Sequence, residues 1–166
     1  MASDNLISEC YIDTLVVKTI LNIEPIHQEG IDNVLKTMKL EFFQDFAVGI
    51  IDNDKNVLAK IDSFAFVCQY NNQFYIHKHI ELSQYIILIS PAMEKFIINS
   101  SNSAEVNLND YGFSSDLRTL RNITKHKSKW NQKVKDNFTN LFNRLVNIDN
   151  NGIMDFQFYT NLFLIY

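Results

Sequence analysis

Two short acidic motifs carry the chemistry that this chain of 166 residues offers most directly. Glu9 and Asp13 form an ExxxD pair in Glu9-Cys10-Tyr11-Ile12-Asp13, and Asp52-Asn53-Asp54 forms a DxD triplet directly behind the apolar run at residues 47–51. A further acid, Glu94, lies three residues after Pro91. Carboxylates drawn together repel one another and are costly to desolvate, so they are usually tolerated where a cation neutralises them. Mg²⁺ prefers such oxygen donors and keeps several of its waters, which leaves room for a phosphate. The chemistry implied is metal-assisted work on phosphoryl groups. Each acid alone also has a plainer use. A strand-end Asp shapes turns, and a Glu in the first turn of a helix complements the helix dipole.

A second group is basic. Lys125, Lys127, Lys129, Lys133 and Lys135 crowd around Trp130, the only tryptophan, with Arg118 and Arg121 upstream. Lysines in such a run contact phosphates, and an indole stacks on a base. The other reading is a solvated junction between helices with the aromatic ring in the core. His77 and His79 stand two apart in an expected strand, a spacing that suits a transition metal, with Glu81 on the same side. Two surface histidines are the simpler account. Cys10 and Cys68 form no CxxC and have no Cys/His ligand spacing, so structural zinc is not expected. With only 4 Gly, neither a GxGxxG nor a GxxxxGK[ST] loop can be written. The formal charge of −4 disfavours non-specific nucleic-acid binding by the chain as a whole.

The elements that must position these groups follow from apolar spacing. A strand ending near Glu9 leads into a helix over 11–22 with Ile12, Leu15, Val16 and Ile20 at helical intervals. A brief second strand falls at 26–28. A helix with Ile31, Val34, Leu35, Met38 and Phe42 on one side follows, with Asp32 as its cap. Residues 47–51 and 84–89 are unbroken apolar runs, as in strands buried on both faces. Residues 56–70 are ambiguous between helix and extended chain, and 74–80 alternate as a strand. Pro91 opens a helix over 92–99, and 100–110 reads as a loop. Three helices over 114–124, 131–147 and 154–165 close the chain. Strands alternating with helices predict an α/β core over residues 1–110, with a mostly parallel sheet flanked by helices, and a helical extension over 111–166 packed on it. The start, MASDNLISEC, lacks the basic and apolar regions of a secretory signal, and no apolar run is long enough to span a bilayer, so a cytoplasmic protein without membrane contact is expected.

In open α/β sheets ligands gather at the carboxyl ends of the strands, where Glu9 and Asp52 fall. There the residues resemble a known family. Glu9-Cys10-Tyr11-Ile12-Asp13 resembles the EGYxD-type motif that opens TOPRIM domains, the Rossmann-like catalytic fold of topoisomerases, bacterial primases and OLD-type nucleases. Ile50-Ile51-Asp52-Asn53-Asp54 resembles the strand–DxD motif of the same fold, about 40 residues on. The segment from Ile89 to Glu94 is similar to one in small TOPRIM-related proteins of bacterial defence loci. The resemblance covers roughly residues 5–99 and implies a Mg²⁺- or Mn²⁺-dependent, nuclease-like protein. Glu9, with Asp13 from the same motif, would then be catalytic, and Asp52, Asp54 and Glu94 would hold metal. Lys125, Lys127, Lys129, Trp130 and Lys133 would meet the nucleic acid. The other function expected is a non-catalytic TOPRIM-like subunit that binds a larger, ATPase-containing partner or a second copy. Cys10 stands where the family pattern has a glycine.

Overall fold

The structure, a computed structural model, describes residues 5–148, 153–157 and 160. Six strands form one mixed sheet: β1 (Leu6–Ser8), β2 (Ile26–His27), β3 (Ala47–Asp52), β4 (Phe64–Tyr70), β5 (Phe74–His79) and β6 (Gln84–Ile89). Their order is β2-β1-β3-β6-β5-β4. The first four in that order run parallel, and β5 and β4 are added antiparallel at one side. A parallel pair needs a long crossover. The helix α1 (Tyr11–Leu21) joins β1 to β2, and α2 (Ile31–Glu41) joins β2 to β3. The chain is therefore of the α/β class with a mostly parallel sheet.

β3 is buried at all six positions, as its unbroken apolar run requires of a central strand. It pairs with β1 from Leu6↔Val48 to Ser8↔Ile50 and with β6 from Ala47↔Gln84 to Asp52↔Ile89. α2 lays Ile31, Val34 and Met38 into a core with Ile7, Ala47, Ile51, Ile86 and Leu88. Gly49 permits this close approach, since a Cβ there would lie 3.0 Å from both Met38 Sδ and Val34 Cγ1. Gln84 ties off the far end of α2, with Nε2 donating to the carbonyls of Met38 at 2.9 Å and Phe42 at 2.8 Å.

Several local expectations are corrected. The cap of α2 is Gly30, at φ 88, and not Asp32. Asp32 sits inside the first turn, where it pairs with Lys60 at 2.6 Å. The ambiguous stretch 56–70 holds a single turn, α3 (Val57–Lys60), and the full strand β4. β4 forms the sheet edge and leaves Phe66 and Val67 exposed, so burial imposes no alternation on it. Pro91 follows a cis Ser90–Pro91 bond, and α4 (Met93–Ser103) begins two residues later. The expected loop at 100–110 includes the end of α4 and enters a 3₁₀ turn at Leu108–Tyr111.

The described residues fall into two compact units. One comprises the chain up to Thr14 together with Glu24–Met93, and carries the sheet with α2 and α3. The other comprises Leu15–Ile23 and the chain from Glu94 on, and is helical, with α4, α5 (Leu117–Thr124) and α6 (Gln132–Asn147). Its core holds an aromatic cluster among aliphatic side chains such as Leu120, Leu141 and Leu145. Phe113 stacks on Phe138 at 3.8 Å between ring centres, and Trp130 and Phe142 lie 5.6 and 5.8 Å from the same ring. Asp116 and Asn131 cap α5 and α6 through their side-chain oxygens. Residues 153–157 and 160 are helical, and the remainder of the helix expected over 154–165 lies outside the described residues.

Candidate functional site

β1 and β3 are parallel neighbours, so their carboxyl ends open on the same edge of the sheet. Glu9 follows the last residue of β1, and its backbone N–H continues the ladder to the Ile50 carbonyl at 3.1 Å. Glu9 Oε2 then accepts the backbone N–H of Asp52, the last residue of β3, at 3.0 Å. Asp52 is buried, and its Oδ1 accepts the N–H of Met93, the first residue of α4, at 2.9 Å. The turn beyond is fixed by Asn53, whose N–H donates to the Ile89 carbonyl at 2.9 Å and whose side chain donates to Ser90 Oγ at 3.3 Å. Asp54 is exposed on this turn.

Asp13 is fully buried, and its Oδ2 accepts the Cys10 N–H at 3.2 Å. This is the return bond of a capping box, made from the third residue of α1 to the residue before it. Cys10 is not among the described residues with positive φ, so the turn needs none of the freedom a glycine would supply. Burial pushes the Cys10 thiol well above its ordinary range, and the negative charges of Asp13 and Asp52 push it further. Sequence reasoning missed a polar cluster beside this rim. Thr14 Oγ1 lies 2.7 Å from Ser8 Oγ and 2.9 Å from His27 Nδ1, and Tyr11 stacks on the His27 ring. The signal was faint, because Ser8 and His27 meet only through the register of the two-residue strand β2.

Glu94 is also buried, within the helical unit. Its Oε1 accepts a short hydrogen bond from Thr124 Oγ1, and its Oε2 lies 3.7 Å from Arg121 Nε. The basic run is divided between two cavities. Lys125 lines one with Arg118 and Arg121, whereas Lys129 and Lys133 line another beside Phe113 and Val134. Trp130 stacks on Phe138 and donates its indole N–H to the Thr124 carbonyl at 2.8 Å. The Lys127 side chain lies outside the described residues. His77 is not a surface residue: it is buried on β5, edge-on to Phe66. His79 is half-buried, and its Nδ1 accepts the N–H groups of Glu81 and Leu82, both at 3.1 Å.

Among the described residues no three His, Cys, Asp or Glu side chains form a group able to hold a metal ion. Nor is any described helix long and apolar enough to cross a membrane. No protein-family model matches the chain, and neither a curated protein nor a solved structure matches it.

Proposed function

We propose that the chain is a TOPRIM-like, nuclease-type protein that processes nucleic acid at the strand-end carboxylates with Mg²⁺ or Mn²⁺. A setting in bacterial defence rests on the resemblance of residues 89–94 alone. The observation that carries the reading is the Glu9–Asp52 contact, which joins the ends of two motifs 43 residues apart in sequence. Mg²⁺ is commonly held by one or two carboxylates with water completing its shell, so a three-donor cluster is not required. The hard oxygens of Asp52 and Asp54 suit it, with Asp54 open to solvent. A bound cation there would polarise a phosphate and lower the pKa of a bound water. Glu9, held against the Asp52 amide, is the proton-handling group. Asp13 orients the turn between Glu9 and α1. Glu94, engaged by Thr124 and Arg121, is left out of the metal set in this reading.

The test is titration calorimetry of Mg²⁺ and Mn²⁺ beside cleavage of a labelled oligonucleotide. Asp54→Ala is expected to lose metal-dependent cleavage with an unchanged melting temperature, and Glu9→Gln to keep metal binding while losing cleavage. No metal heat and no cleavage by the wild type would overturn the proposal.

A second reading, a non-catalytic TOPRIM-like subunit, is favoured by a different observation. The Asp13 and Asp52 carboxylates already accept backbone N–H groups. The edge strand β4 also exposes Phe66 and Val67, which a protein partner or a second copy would cover. Under that reading the calorimetry shows no divalent-metal binding.

A further inference from the structure

We infer that the face of α5 bearing Arg118, Arg121 and Lys125 is a binding site for phosphate-ester anions. This inference is independent of the strand-end carboxylates. A cavity of ≈ 600 Å³ is lined by Arg118, Thr119, Arg121, Asn122, Lys125 and His126. All six are polar or charged side chains, and three of them, Arg118, Arg121 and Lys125, are cations. The neighbouring cavity sets its two lysines, Lys129 and Lys133, beside Phe113, Ile123 and Val134 and carries no arginine.

The three permanent cations stand at i, i+3 and i+7, which places them on one helix face over about 10 Å of axis. Nucleic-acid phosphates recur at about 3.4 Å of axis per strand, so this span matches roughly three of them. α5 carries no acid in its first turn, and Asp116 at its cap is engaged by the N–H and hydroxyl of Thr119 at 2.8 and 2.6 Å.

Arg121 is the organised member of the set. Its Nε lies 3.7 Å from the buried Glu94 carboxylate, which Thr124 holds in turn. A guanidinium has five N–H donors in a rigid fork. An arginine oriented through Nε keeps its terminal donors for a ligand and loses less freedom when one binds. The cationic face also runs against the net charge of −4, so overall composition does not account for it.

Two probes distinguish a polymer from a free anion as the source of the phosphate. Fluorescence anisotropy of a labelled oligothymidylate is measured across about 50–200 mM KCl, where three phosphate contacts predict a log–log slope near −2. Inorganic pyrophosphate is titrated by calorimetry. Arg118 and Lys125 are exposed, so the double variant Arg118→Gln/Lys125→Gln is expected to melt as the wild type does. It is expected to bind roughly tenfold or more weakly at low salt, with the slope flattened by about 1.4. Lys36→Gln/Lys39→Gln, on α2, leaves both quantities unchanged. Oligothymidylate binding that pyrophosphate competes away assigns a nucleic-acid strand, and pyrophosphate binding alone assigns a free phosphate. The inference is overturned if neither probe binds, or if the Arg118/Lys125 variant binds with wild-type affinity and slope.

Discussion

Asp52→Ala and Asp52→Asn separate the two jobs a strand-end carboxylate can do. Asp52 Oδ1 accepts the Met93 N–H at 2.9 Å, and the residue is only 5% exposed. Met93 opens α4, so its N–H is one of the donors that a helix start cannot satisfy internally. Alanine would leave that donor buried without an acceptor, at a cost of about 1–3 kcal/mol. In a chain of this size 1 kcal/mol moves the melting temperature by about 2–4 °C, so Asp52→Ala should melt roughly 2–12 °C below the wild type. Asparagine keeps an oxygen for Met93 and removes only the charge. The lost attraction to the helix start, about 0.3–1 kcal/mol, is opposed by relief of repulsion from the Glu9 carboxylate, which sits on the amide of the same residue. Asp52→Asn should therefore melt within about 3 °C of the wild type. Scanning fluorimetry with and without Mg²⁺ reads both jobs. Metal at about ten times its Kd should stabilise the wild type by about 1.4 kcal/mol and leave Asp52→Asn unmoved. Equal melting of Asp52→Ala and wild type without metal refutes the hydrogen-bond reasoning, and a Mg²⁺ shift that survives in both variants refutes the metal assignment.

Gln84→Leu removes the donor shared by the Met38 and Phe42 carbonyls and should cost about 1–3 kcal/mol in urea unfolding. Gln84→Glu should cost more, since it sets a charge against the same carbonyls, and a neutral result for either variant would show that α2 does not depend on this cap. Burial lowers the pKa of His77 below its ordinary 6.5, with a backbone hydrogen bond at Phe64 opposing. The neutral ring therefore contributes stability that is complete above pH 6.5 and lost as pH falls through the folded value. His77→Phe should flatten the loss of stability on acidification below pH 6.5, and a urea midpoint that falls as steeply as in the wild type would contradict this.

The parts of the fold legible in the sequence are those that burial patterns strongly. β3 and β6 are continuous apolar runs because both faces are covered, and α2 shows its stripe because one face meets the sheet. β4 was obscured because an edge strand is free of that constraint. The reading of His77 followed from it: without β4, β5 looks like an edge, whereas pairing on both sides makes it an interior strand. The Gly30 cap was hidden by Asp32, a better capping type two residues too late. The basic run reads as one patch along the chain, but α5 ends at Thr124, a 3₁₀ turn intervenes at Lys127–Lys129, and α6 starts only at Gln132. That break turns Lys125 toward the arginines and leaves Lys129 and Lys133 to a different cavity.

The meeting of Glu9 with Asp52 was legible for a different reason. It depends on strand adjacency, not on side-chain pattern: parallel neighbours must end on the same edge. What the fold asks of position 52 is an acceptor for the Met93 N–H. Asparagine or serine meets that need about as well as aspartate. A formal charge strengthens that hydrogen bond and favours the helix start, and it stands against repulsion from the Glu9 carboxylate, which accepts the Asp52 N–H. The hydrogen bond accounts for a polar residue there, and the start of α4 accounts for part of the charge. Under the proposed metal site a bound cation would offset that repulsion, so the Mg²⁺ response of Asp52→Asn, which keeps the acceptor and loses only the charge, bears most directly on the catalytic reading.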